Sequence, residues 1–139
     1  MTLDQANRII AAALAKGAEL GLQPLTVAVV DAGGHLVALA RQDGASMLRP
    51  QVATGKAVGA LALGVSSRRV GEMAAERPAF VQAVSALSAG GLVPAAGGLI
   101  AVSTDGAVQG AVGISGDSSD NDERCALAAI QAVGLAVKS

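Results

Sequence analysis

Hydrophobic positions recur with two different periods along the chain. From Thr2 to about Gly21 they fall at Leu3, Ala6, Ile10, Ala13, Leu14, Gly17 and Leu20, with Asp4, Arg8, Lys16 and Glu19 between them. This spacing lines one face of a helix. Thr2-Leu3-Asp4-Gln5 fits a capping box at its start, and Gly21 fits a stop. The period then shortens. Leu25–Asp31 and His35–Gln42 read as two strands joined by Ala32-Gly33-Gly34, whose glycines supply the positive φ a tight hairpin needs. Leu25, Val27 and Val29 point one way, yet Ala28 and Val30 on the other side are apolar too. The strand is therefore expected to be covered on both faces, one by helices and the other by loops or a second subunit.

The helical period returns from Leu48 to about Leu63, with Pro50 in the first turn and Gly55 and Gly59 four apart. Ser67 is placed to cap a short helix through Ala75, and Pro78 to open another through Leu87. Ser88 to Gly98 is rich in Gly and Pro but too apolar for a solvated linker, and reads as a lid or as a loop tucked against a partner. A second hairpin follows, Leu99–Ser103 and Ala107–Ser115, turning at Thr104-Asp105-Gly106. The last helix is expected from near Ser119 to Val137, with Ser119 or Asp120 as N-cap and Asp122 and Glu123 in its first turn. Hairpins bracketed by helices predict an α+β fold on an antiparallel sheet, and 139 residues allow one domain, 1–139.

Composition narrows the function. Hydrophobic residues make up 52% and charged residues 15%, with one aromatic residue, Phe80, and 18 glycines. So little polar cover on so apolar a chain predicts surfaces hidden in subunit contacts, hence a homo-oligomer of two or more copies. A net charge of −1 without a basic patch argues against a nucleic-acid partner. No apolar run is long enough to span a bilayer, so no membrane partner is expected. The single Cys125 suits a reducing compartment, and the first residues lack a signal-like pattern; both predict a cytoplasmic protein.

Three stretches resemble the GlcG/HbpS family, also found as the C-terminal domain of PduO-type corrinoid adenosyltransferases. They are Val27–Ala38 continuing to Arg41-Gln42-Asp43-Gly44-Ala45, then Thr54-Gly55-Lys56-Ala57, and then Asp105–Gly116 with Asp122-Glu123 beyond it. The resemblance implies a profilin-like antiparallel sheet of about five strands with flanking helices, assembled into oligomers. The fifth strand is then expected near Leu92–Ile100. It also implies a small-ligand-binding protein, with haem as candidate cofactor, accessory to a catabolic or cofactor pathway. Relatives often carry a Pro soon after the Gly-Gly, where this chain has Gly97-Gly98-Leu99-Ile100-Ala101.

Haem iron takes an axial His, Cys, Met or Tyr. Here the donors are His35, Cys125, Met1, Met47 and Met73, and His35 is the cofactor-binding candidate, with an exposed turn residue as the alternative. Arg41, Asp43, Arg49 and Lys56 gather around a strand end, a loop and the helix it feeds. Lys56 lies in the apolar stretch Val52–Leu63, where it could act as acid, base or carboxylate anchor, or snorkel to solvent. Arg49 could hold a carboxylate bidentately or face water. Lys56, Arg49 and Asp43 are the candidate catalytic residues of a second reading, a cofactor-free isomerase, lyase or hydrolase acting on a small organic acid. Arg41, Gly97 and Gly98 are ligand-binding candidates, the glycines because a Gly-rich loop allows close backbone approach. Asp117, Asp120, Asp122 and Glu123 read as helix caps, and Glu72 with Glu76 as solvated helix charges, so no metal site is expected.

Overall fold

In a computed structural model describing all 139 residues, the sheet order is β2-β1-β4-β3-β5, all neighbours antiparallel. The elements run α1 (Leu3–Glu19), β1 (Thr26–Asp31), β2 (Leu36–Arg41), α2 (Arg49–Leu63), α3 (Ser67–Glu76), α4 (Pro78–Leu87), β3 (Gly98–Val102), β4 (Val108–Ser115), α5 (Ser119–Ala132) and β5 (Ala136–Val137). The α+β class and the five-stranded sheet agree with the expectation.

The capping box on α1 forms in both directions: the Thr2 hydroxyl accepts from Gln5 N–H, and the Gln5 side chain accepts from Thr2 N–H. Ala6, Ile9 and Ala13 of α1 and Cys125, Ala126, Ala129 and Ile130 of α5 pack on one face of the sheet against Val27, Val29, Val112 and Ile114. The buried stripe of α1 passes through Ile9, not Ile10. The other face carries Val30, Ala111, Ile100 and Val102, and α2 lies on it through Ala57 and Ala60. The second face of β1 is thus covered by the chain's own α2, not by loops or another subunit. Such close seating needs glycine opposite the helix, and a Cβ on Gly113 would overlap the Ala53 carbonyl.

Three boundaries differ from the expectation. Ser66, not Ser67, caps α3, its side chain accepting from Arg69 N–H. Ser118, not Ser119 or Asp120, caps α5. The fifth strand lies at the C-terminal end, not near Leu92–Ile100. Gly134 turns at φ 78°, ending α5 early, and β5 then pairs with β3 through Ala101–Val137 and Val102–Ala136. The final apolar residues satisfy helical and strand periods alike, and the glycine decides between them.

Candidate functional site

Helix α2 delivers two cations to one end of β4. Lys56 is 3% exposed, and its ammonium donates to the Ile114 carbonyl at 2.9 Å and to Asp122 Oδ2 at 3.0 Å. Asp122, 1% exposed at the start of α5, accepts the Asp117 N–H at its other oxygen. Burial pushes the Asp122 carboxyl above its ordinary value, while the Lys56 ammonium and the Asp117 and Gly116 N–H groups pull it back down. The pair joins helices from opposite faces of the sheet. Gly97 lets it through: at φ 125°, any side chain there would meet the Ile114 carbonyl, the Lys56 ammonium and Asp122.

This placement corrects several expectations. Lys56 does not reach solvent; its charge is neutralised inside the protein by Asp122. Gly97 and Gly98 are both buried. A Cβ on Gly98 would overlap the Lys56 carbonyl, and the Gly98 N–H donates to the buried Ser67 hydroxyl at 2.6 Å. Both glycines serve packing. Asp122 lies in the first turn of α5, as expected, and is also the counter-ion of Lys56.

Arg49 sits seven residues before Lys56 and reaches the next residue of β4, donating to Ser115 Oγ at 2.9 Å. It has no carboxylate partner. Arg41, at the end of β2, donates to the Ala45 carbonyl at 2.6 Å and likewise pairs with no acid. Asp43 is exposed and makes neither a hydrogen bond nor an ion pair. Asp43 and Arg41 border a polar cleft of about 530 Å³ with Gln23 and Leu22, away from Lys56. The proposed catalytic set therefore does not converge on one point.

His35 stands at the tip of the first hairpin, 83% exposed, with Nδ1 3.4 Å from Asp31 Oδ1. The same oxygen accepts the N–H groups of Gly33 and His35, and these, with the imidazole, hold the Asp31 carboxyl below the usual range. A histidine steadied through one ring nitrogen by a carboxylate presents the other outward, as metal-ligating histidines commonly do. Beside it, Leu36 and Leu39 of β2 form one wall of a cleft of about 280 Å³, with Pro50, Thr54 and Val58 of α2 opposite and Gly90-Gly91 across the mouth. A second cleft of about 450 Å³ runs between α4 and the loop, lined by Val81, Ser85, Leu92 and Pro94. The Ser88–Gly98 passage is thus divided: residues between Ala89 and Ala96 border clefts, and its last two glycines are packed away.

Other candidates are already committed. Cys125 is buried in the main core, where burial raises its thiol pKa and keeps it protonated. Asp120 and Glu123 pair with Arg68, and Glu72 and Glu76 both accept from Arg69.

The profile of the HbpS-like family, described as haem-degrading proteins, matches residues 1–131. The chain belongs to the HbpS-like family. Among solved structures, this HbpS-like chain is similar to the PduOC–haem complex, with 26% identity, a TM-score of 0.87 and coverage of 100% of this chain and 99% of that one. It is similar to Klebsiella pneumoniae ORFY at 25% identity and TM-score 0.84, covering 96% and 90% of the two chains. It is also similar to Streptomyces reticuli HbpS, solved as a double mutant, at 28% identity and TM-score 0.81, covering 94% and 85%. Comparison with curated protein sequences returns no match. No helix of this HbpS-like chain is long and apolar enough to cross a membrane.

The sequence pattern missed Asp122 as the buried partner of Lys56 and Ser115 as the acceptor of Arg49. The signal for Asp122 was present, since a lysine inside an apolar helix stretch requires an anion or an exit. The capping role assigned to Asp122 hid it.

Proposed function

We propose that this HbpS-like chain is a small-ligand-binding protein that takes haem at the β2–α2 cleft, with His35 as the iron ligand. The observation that carries the reading is the His35–Asp31 pair, His35 standing one residue before Leu36 of an apolar cleft, on a chain whose family is described as haem-degrading. The similar PduOC structure is a haem complex. His35 fits the group: its Nε2 is free and solvent-facing, and an aliphatic wall begins at the next residue. Haem bound there would supply an iron centre, with Leu36, Leu39, Pro50 and Val58 as the side chains that would hold it.

The cleft lies near the lower bound of ligand pockets, about 300 Å³, so it would cover haem only in part. Leu36, Met47, Leu48 and Leu87 stand exposed in or close in sequence to its lining, Leu87 by 88%. We propose that ligand and a second copy of the chain cover them, and that this homo-oligomer works in the cytoplasm in a catabolic or cofactor pathway. Hemin titration followed by visible spectroscopy tests the binding. A Soret band that is lost in His35→Ala supports it, and a wild-type protein that gives no band overturns it.

A further inference from the structure

We infer that the sheet end beneath the first turn of α2 binds a small oxyanion, a carboxylate foremost, through Arg49 and the hydroxyls of Ser115 and Thr26, with Arg41 flanking it. Thr26 is opposite Ser115 on β4 and opposite Arg41 on β2, so the three form a row across adjacent strands. Val27 and Val29 face α1 and α5, and strand alternation therefore turns Thr26 toward the α2 side. Arg49 descends from α2 onto that same row.

Beyond the Arg49–Ser115 and Arg41–Ala45 bonds, the donors of this row find no acceptor. Thr26 is fully buried, and its hydroxyl is the one buried side-chain polar atom without a partner. Ser115 Oγ accepts from Arg49, which leaves its own proton to give. The remaining guanidinium nitrogens of Arg49 and Arg41 have no partner, and no acid lies within ion-pair distance of either arginine. Asp43 and Asp117 are the nearest acids along the chain. Asp43 bonds to nothing, and Asp117 is occupied by Asn121 and the Gln23 N–H. Burying an unsatisfied hydroxyl is costly, and an arginine fork with two hydroxyl donors matches the oxygens of a carboxylate. Inorganic phosphate presents the same chemistry and is the other source to distinguish. The site is separate from the β2–α2 cleft, so it does not depend on haem.

The test is titration of the full chain with succinate and, separately, inorganic phosphate at low ionic strength, followed by amide chemical shifts. Saturable shifts centred on Thr26, Arg49 and Ser115 are expected, from either anion, and the tighter one identifies the source. Thr26→Val keeps the shape and removes the hydroxyl. It should weaken anion binding about tenfold, the usual effect of losing a hydrogen bond to a charged group, and leave the hemin spectrum unchanged. Arg49→Gln should abolish the shifts. If Thr26→Val binds both anions as wild type does, or if neither anion saturates, the inference fails.

Discussion

Two polar regions border the same sheet and have opposite character. At the end of β4, the Lys56 ammonium and the Asp122 carboxylate are sealed together, 3% and 1% exposed, with every strong bond directed inward. Along the β2 edge, His35 and Leu36 stand in solvent, with a ring nitrogen and an apolar side chain unoccupied. Buried charge that is matched internally holds the layers in register and has nothing left for a ligand. Unmatched groups on an open edge add little to stability and can take one up. Arg49 lies between these extremes, near the sealed pair in space yet lacking a carboxylate.

The largest effect should come from unmatching the sealed pair. Asp122→Asn leaves the Lys56 charge buried alone and should cost about 3–5 kcal/mol in urea unfolding. Lys56→Met with Asp122→Leu, which removes both charges, should recover most of that loss. A double variant as unstable as the single one would show that the region depends on something other than charge matching.

The loss in Lys56→Met should depend on pH. Without the ammonium, nothing but backbone N–H groups offsets burial of Asp122, so its carboxyl titrates still higher in the folded state. A group whose folded pKa exceeds its unfolded value favours the folded state at low pH and loses that contribution as pH rises through the folded value. The variant should therefore be closer to wild type at pH 4 than at pH 7, as paired urea titrations would show. Asp31, Asp105 and Asp117, which are held below the usual range, act in the opposite sense, losing their contribution as pH falls below about 3.8. They are common to both proteins and cancel in the difference.

Gly98→Ala should cost about 1–3 kcal/mol, because its Cβ would overlap the Lys56 carbonyl in a filled interior. Arg49→Gln should lower the unfolding free energy by less than about 1 kcal/mol, since the side chain is partly exposed and forms one hydrogen bond. A larger loss would move Arg49 into the sealed region and sharpen its boundary. The smallest effect is expected from His35→Ala, with a thermal midpoint equal to that of wild type.

The sheet, its two hairpins and most helix starts were legible because local rules set them: the Thr2–Gln5 box, Pro50 and Pro78 in first turns, glycines at both hairpin tips. β5 was not, because its apolar residues satisfy helical and strand periods alike, and the turn at Gly134 and the pairing with β3 decide between them. The site was read less well. Lys56 was rightly singled out by its apolar surroundings, but whether it found a partner or an opening depends on a contact with Asp122, 66 positions away. Thr26 could not be recognised at all, since an orphaned hydroxyl is defined by its neighbours and not by its place in a strand.

Hemin titration of wild type and His35→Ala side by side tests most directly the claim that the open edge is the ligand site. A Soret band in wild type that disappears in an equally stable His35→Ala protein is the predicted result. Indistinguishable spectra from the two proteins, or no band from either, would contradict it.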